Sequence, residues 1–141
     1  MKYSAKDDYV DWLEVYEWIW ACTLSFRNGI RRKSANRLWR EWITRLEEIE
    51  GHRLSWARMA EFGETAGKLH FHGVVAGVRR TWPSEAESLW LSIAGDARIE
   101  VMHSAGWLEY MLKEMEDNDD FDFDASLHPE HLLPPSRRIS R

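Results

Sequence analysis

The pattern of apolar and polar positions predicts alternating strands and helices. In the first apolar segment Cys22, Leu24 and Phe26 fall on one face, while Thr23 and Ser25 fall on the other with Ala21. This period of two indicates a strand with one buried side. The four predicted strands cover residues 18–26, 54–62, 69–76 and 97–103. Glycines between the second and third strands indicate a hairpin.

Apolar residues at helical spacing predict three helices. They cover residues 34–50, 83–94 and 104–117. Ser34 is suited to cap the first helix and Gly51 to end it. Pro83 fits the first turn of the second helix, and Gly95 ends it. Residues 9–20 are compatible with a helix, a strand or both in succession.

The order of strand, helix, strand, strand, helix, strand and helix predicts an α+β fold. Its first six elements match a ferredoxin-like or RRM-like split βαβ pair, in which two helices back an antiparallel sheet. The last helix is an addition to that fold. Residues 1–117 are predicted to form the domain. Residues 118–141 are acidic and then contain prolines, so we predict a mostly disordered tail.

The composition indicates how large a core the chain can form and in which compartment we expect the protein. The chain of 141 residues is 44% hydrophobic, which suffices for one core. Its single cysteine, Cys22, excludes an internal disulfide and fits a reducing cytosol. No apolar run is long enough to span a membrane, so we expect an intracellular, cytoplasmic protein without a membrane partner.

The net charge of −5 argues against a general nucleic-acid binder, but the charges are segregated. One stretch holds six cations and no acid: Arg27, Arg31, Arg32, Lys33, Arg37 and Arg40. Arg79 and Arg80 form a second basic pair. Phosphate binding depends mainly on Lys and Arg, so both groups are candidate DNA contacts. Thr23 and Ser25 are weaker candidates on the open face of the sheet.

Two histidines on the third strand are candidate metal ligands. His70 and His72 are two residues apart, so their side chains share one face of that strand. Glu61, near the end of the partner strand, is the preferred third ligand, and Glu64 in the hairpin competes with it. Two imidazoles and a carboxylate leave open positions on Mg²⁺ or Mn²⁺ for a phosphate oxygen.

Tyr110 and Lys113 are three residues apart on the last predicted helix and therefore share a face. A phenol is a weak nucleophile unless nearby positive charge activates the phosphate that it attacks. Lys113 and the metal would supply that charge. Trp107, one turn earlier, is a candidate for stacking on a base. Alone, His-x-His indicates an ordinary half-exposed strand, and Tyr110 an ordinary packing residue.

Three motifs in this order resemble those of the HUH endonucleases, in particular the single-tyrosine rolling-circle replication initiators of plasmids and small DNA viruses. They are Thr23-Leu24-Ser25-Phe26, His70-Phe71-His72 and Tyr110-Met111-Leu112-Lys113. The segment Glu61-Phe62-Gly63 resembles the one that supplies the third ligand of that family. The resemblance covers residues 18–117.

The resemblance implies metal-dependent nicking and joining of single-stranded origin DNA. Tyr110 would form a 5′-phosphotyrosine link and release a 3′-hydroxyl that primes a host polymerase, and Lys113 would assist at the phosphate. The chain contains no Gly-x-x-x-x-Gly-Lys-Ser/Thr segment, so the resemblance implies a host helicase as a partner. With one tyrosine in the motif, a second strand transfer needs another nucleophile or the second subunit of a homodimer.

Two alternative functions remain open at the level of the sequence. A single-tyrosine HUH transposase has a similar size, but its nicking helix usually lacks the lysine found here at Lys113. A non-catalytic module on the same fold would bind DNA or RNA by stacking on the sheet, without a metal. A protein–DNA adduct that requires Tyr110 distinguishes the enzymes from the module.

Overall fold

The computed structural model describes residues 5–27, 29–62, 68–104, 106–117 and 121–138. The helices are α1 (Ala5–Leu13), α2 (Arg32–Glu50), α3 (Pro83–Ile93), α4 (Gly106–Met111) and α5 (Glu114–Asp117). The strands are β1 (Trp18–Ser25), β2 (Ser55–Phe62), β3 (Leu69–Ala76), β4 (Ala97–Val101) and β5 (Asp122–Ser126). Two short 3₁₀ turns follow, at Pro129–His131 and Pro135–Arg137. Within these ranges, no helix combines the length and apolar character needed to cross a bilayer.

The five strands form one antiparallel sheet in the order β4-β1-β3-β2-β5. This confirms the predicted α+β class with an antiparallel sheet. The four strands expected from the sequence lie close to their predicted positions, and β3 has the predicted bounds. The strand β3 is central, with β1 and β2 as its neighbours, so its side chains lie in the middle of the sheet.

The two faces of the sheet pack against different helices. One face forms the larger core with α2 and α3, in which Phe71 of β3 contacts Trp39 of α2. Aromatic side chains dominate this core, and burying them supplies much of the stabilisation. The other face carries Val74 and Ala76 of β3 and packs against α1, α4 and α5 through residues such as Leu13 and Leu108. His70 and His72 belong to this second face by their alternation along β3.

Several predicted helix boundaries are corrected. Ser34 lies inside α2 rather than at its N-cap, which is Arg31, and no side chain caps this end. Gly51 ends α2 as predicted, with φ +82°. Residues 9–20, which were compatible with a helix, a strand or both, contain the end of α1 and, from Trp18, the start of β1. The last predicted helix is two short ones, because the chain turns after Met111 with a hydrogen bond from Lys113 N to Tyr110 O.

The predicted disordered tail is wrong for residues 121–138. Residues 122–126 form β5, which pairs with β2 and extends the sheet. Phe121 and Phe123 alternate with Asp122 and Asp124, and the aromatic rings pack on the second face beside α1. The acidic content of the segment obscured this period of two. The domain therefore does not end at residue 117.

Candidate functional site

The two strand histidines lie among polar residues contributed by both neighbouring strands. Thr23 of β1 is opposite His72, and Ser25 is opposite His70. On the other side, Glu61 of β2 is opposite His70. All five residues share the face that packs against α4, because cross-strand partners point to the same side. The structure therefore brings together the side chains that the sequence places on one face.

Glu61 contacts the diagonal histidine rather than its direct partner. Its Oε2 lies 2.6 Å from Nε2 of His72. His72 is only 7% exposed, and burial lowers its pKa, although the attraction of Glu61 opposes that change. Among the described residues, the buried Nδ1 atoms of His70 and His72 have no hydrogen-bond partner. Each ring therefore keeps one nitrogen that no described group satisfies.

The short helix α4 brings Tyr110 and Trp107 over His72. The ring centre of Tyr110 is 5.4 Å from that of His72, with an edge-on geometry, and Trp107 is 5.8 Å from the same ring. Trp107 is fixed by a hydrogen bond of 3.1 Å from its Nε1 to the carbonyl of Gly73. Tyr110 is 46% exposed, so its hydroxyl can meet a ligand from solvent.

Lys113 connects the tyrosine to the carboxylate. Its Nζ lies 4.2 Å from the ring centre of Tyr110 and 3.5 Å from Oε1 of Glu61. Burial works against the charged form of Lys113, but Glu61 and Tyr110 together outweigh it and raise its pKa. The amine is therefore an ammonium at neutral pH.

A groove of about 390 Å³ opens beside this cluster. It is lined by Ala21, Thr23, His72, Arg98, Glu100, Trp107 and Tyr110. Arg98 and Glu100 were not predicted as site residues. Their alternation on β4 was visible, but their approach to the site depends on β4 pairing with β1, which sets Arg98 opposite Thr23.

A complete metal centre is not preformed in the part of the chain that the structure describes. No group of three His, Cys, Asp or Glu side chains there has an arrangement suited to a metal ion. The pair of His72 and Glu61 supplies one nitrogen and one oxygen donor in contact. The ring centre of His70 is 6.4 Å from that of His72. Glu64, the competing ligand, lies outside the described residues.

Most of the predicted basic contacts lie on the opposite side of the sheet. Arg37 and Arg40 belong to α2, whose apolar side packs on the face away from the histidines. Arg40 pairs with Asp124 at 2.7 Å and also lies over the Trp56 ring. Arg31, Arg32 and Lys33 are exposed at the start of α2, where Arg32 covers the Phe62 ring.

Arg27 and Ser25 have structural partners, and Arg79 and Arg80 lie beyond the far end of β3. Arg27 donates to the carbonyl of Leu91. The hydroxyl of Ser25 donates to the carbonyl of Asp96 at 3.3 Å. Arg79 and Arg80 follow the end of β3 that is distant from His70, and their backbone N–H groups donate to the carboxylate of Glu50. The structure therefore does not bring Arg79 and Arg80 to the histidines.

No family model matches the chain, and no curated protein matches it. Among solved structures it is similar to the crystal structure of the hypothetical protein ORF119 from Sulfolobus islandicus rod-shaped virus 1. The two chains share 19% sequence identity with a TM-score of 0.48, over 79% of this chain and 91% of that chain.

Proposed function

We propose that the protein is a metal-dependent endonuclease that nicks and rejoins single-stranded DNA through Tyr110, as initiators of rolling-circle replication do. One observation carries the proposal. Tyr110, Lys113, Glu61 and His72 form a continuous cluster of contacts on one face of the sheet, beside an open groove. A nucleophile, a cation and donors for a metal in one place are the components that phosphodiester transfer needs.

The strand order supports the ferredoxin-like assignment within the broader α+β class. The first four strands are arranged β4-β1-β3-β2, with α2 and α3 on one face. That order is the one expected for a split βαβ pair. The short helix α4 follows β4 and lies on the opposite face, where its Trp107 is close to the His72 ring. The nucleophile and the metal donors thus come from different elements, as the HUH resemblance implies.

The residues present fit a divalent metal in their donor chemistry. In octahedral Mg²⁺ the metal–oxygen distance is about 2.1 Å, which places neighbouring donor atoms about 3 Å apart. The donors Glu61 Oε2 and His72 Nε2 are 2.6 Å apart, close to that spacing. Glu61, His72 and His70 would hold the ion. When bound, Mg²⁺ or Mn²⁺ would polarise the phosphate and stabilise the negative charge of the transition state.

The protein residues have distinct roles in the proposed reaction. The Tyr110 oxygen attacks phosphorus and loses its proton, and the bond from phosphorus to the 3′ oxygen breaks. That oxygen takes up a proton and leaves as a 3′-hydroxyl, while the 5′ side stays attached to Tyr110. Lys113 places positive charge beside the reacting oxygens, since its amine is already held against the tyrosine ring. Joining is the reverse reaction with another 3′-hydroxyl.

The test is covalent capture of DNA. A pool of single-stranded oligonucleotides of mixed sequence, labelled at either end, is incubated with the protein and Mn²⁺ and then denatured. We expect the 3′ label to remain on the protein and the 5′ label to appear on a shortened free strand. Tyr110→Phe removes the adduct. Tyr16→Phe, outside the groove, retains it.

The pattern of labels separates the proposal from its alternatives. Adducts that persist in Tyr110→Phe exclude Tyr110 as the nucleophile. Adducts that carry the 5′ label exclude the proposed polarity of cleavage. Binding of DNA without an adduct, with Mg²⁺ and with Mn²⁺, excludes the enzyme and favours the non-catalytic binding module.

A further inference from the structure

We propose that the groove between β1, β4 and α4 binds a guanine base next to the cut phosphate, and that Glu100 and Arg98 recognise it. The inference rests on the proposed function for the position of the phosphate. It adds a substrate preference and two specificity residues. Neither Glu100 nor Arg98 is needed for the chemical step.

The groove has a size suited to one nucleotide. Its volume of about 390 Å³ is within the range of small-molecule sites. The small side chains of Ala21 and Thr23 line it from β1, and the rings of Trp107 and Tyr110 line it from α4. These two rings are 5.2 Å apart and inclined by 37°. Aromatic faces of this kind bind bases by stacking.

The groove continues beyond one nucleotide. A second cavity of about 430 Å³ shares Ala21, Glu100, Trp107 and Tyr110 with the first and extends toward Met102. Because Glu100 and Tyr110 line both cavities, a strand lying in this groove would place a base against Glu100 beside the phosphate at Tyr110.

The charges of the groove favour a base over a phosphate. Glu100 is 57% exposed, and its carboxylate repels a phosphodiester. Arg98 is 80% exposed and donates from Nε to Oε1 of Glu100 at 2.6 Å. The guanidinium has further donors, and the carboxylate has a second acceptor oxygen. Base edges, unlike phosphates, present both donors and acceptors to such a pair.

Among the four DNA bases, guanine matches this pair best. A carboxylate only accepts hydrogen bonds, and Oε1 has a second lone pair besides the one bonded to Arg98. Glu100 can therefore take two adjacent donors of a base in a bidentate contact. The N1–H and N2–H₂ groups of guanine are such a pair, whereas adenine, cytosine and thymine each place an acceptor beside their donor. The O6 and N7 acceptors of guanine suit an arginine, so Arg98 completes the recognition.

The test compares oligo-dT with oligo-dT that carries one central dG, dA or dC, by fluorescence anisotropy with the full chain in chelator. We expect the dG strand to bind about five-fold or more tighter than oligo-dT. Glu100→Gln abolishes this preference. Glu109→Gln, which makes the same charge change on α4 outside the groove lining, preserves it.

Each outcome bears on the inference separately from the proposed chemistry. Equal binding of all four strands, a preference that persists in Glu100→Gln, or no binding at all overturns it. If guanine is preferred in a way that depends on Glu100 but no adduct forms in Mn²⁺, guanine recognition is supported and the nicking reaction is excluded. Adducts that form equally on every strand, with equal binding, remove this inference alone.

Discussion

Lys113 Nζ lies 3.5 Å from Oε1 of Glu61, so an ion pair joins the turn after α4 to the end of β2. The pair holds the ammonium beside the Tyr110 ring while the other oxygen of Glu61 contacts His72. One carboxylate thus positions both the cation and the buried imidazole. Glu61 is therefore the residue that organises the site.

Replacing Lys113 tests its role at the phosphate. Lys113→Met keeps most of the side-chain length and removes the charge, so the rate of adduct formation should fall about 100-fold, the typical loss for one transition-state donor. Lys113→Arg should recover part of the rate, because the charge returns. The measurement is single-turnover adduct formation in Mn²⁺.

The matched control for this prediction is Lys68→Met. Lys68 is exposed just before β3, and its replacement makes the same change in net charge. An equal loss of rate in Lys68→Met would show that Lys113 acts only through the overall charge of the protein.

Divalent metal should stabilise the folded protein through the two histidines. At a Mn²⁺ concentration of about 100 times Kd, binding adds about 2.7 kcal/mol to the unfolding free energy. For a chain of this length that corresponds to a rise in Tm of roughly 10 °C. We expect the rise to disappear in the His70→Ala, His72→Ala double variant, because the ion loses both imidazole donors.

Differential scanning calorimetry with and without Mn²⁺ measures this rise. His103→Ala is the control, since His103 is exposed at the edge of the second cavity. A metal-dependent rise that survives in the double variant would place the ion elsewhere on the protein.

The sequence was sufficient to predict the faces of the strands, because alternation along a strand follows from backbone geometry. His70, His72 and Thr23 therefore lie on the predicted common face. Spacing within a helix similarly predicted that Lys113 would lie near Tyr110, although the helix ends between them. These predictions needed only local geometry.

The features that were missed depend on contacts between distant parts of the chain. The strand β5 pairs with β2, and its acidic residues lie against arginines of α2 and β2. Nothing local in an acidic segment indicates such partners. The basic residues of α2 were assigned to DNA contact by charge alone, but the apolar side of that helix fixes it on the face away from the histidines.

The two aspartates of β5 should contribute unequally to stability. Asp122 pairs at 3.2 Å with Arg58, whose side chain is 2% exposed. Asp122→Ala leaves a buried guanidinium with fewer partners and should cost about 2 kcal/mol or more. Asp124 pairs with the exposed Arg40, so Asp124→Ala should cost less than about 1 kcal/mol.

Urea unfolding of both variants measures this difference. The two substitutions are the same and lie in the same strand, so effects of strand propensity cancel. Equal losses would mean that the buried pair with Arg58 contributes no more than the exposed one.

Gly51 and Gly77 both have positive φ, but an added Cβ would clash with a neighbour only at Gly77. Comparing alanine substitutions at the two positions therefore distinguishes backbone strain from steric clash. Gly51 has φ +82° and open space where a Cβ would lie, so Gly51→Ala should cost about 1–2 kcal/mol from the backbone alone. Gly77 has φ +93°, and a Cβ there would lie 2.5 Å from Nε2 of His131. Gly77→Ala should therefore cost about 1–3 kcal/mol more.

The comparison is made by urea unfolding of the two single variants and of Gly77→Ala combined with His131→Ala. The smaller side chain at residue 131 should remove part of the additional cost of Gly77→Ala. If the two glycine variants lose equal stability, His131 does not restrict the space at Gly77.

The buried His131 should make the fold less stable in mild acid. Its Nδ1 forms a hydrogen bond of 2.6 Å with the hydroxyl of Ser55. Burial lowers its pKa, and His128, His52 and Arg79 add to the effect, against the attraction of Glu130. The unfolded chain then binds more protons than the folded one between the folded pKa and the unfolded value of about 6.5. Stability is therefore complete above about pH 6.5 and falls as the pH drops toward the folded pKa.

Urea unfolding between about pH 8 and pH 5, the range in which histidines titrate, measures this loss. His131→Asn removes the titrating ring, so the variant should lose less stability than the wild type over the same interval. Its stability at pH 8 will be lower, because the contact with Ser55 is altered, and the slope is therefore the quantity to compare. Parallel profiles for the two proteins would exclude His131 as a source of the acid sensitivity. Since His72 is also a buried histidine with a lowered pKa, a residual slope of the same sign is expected in His131→Asn.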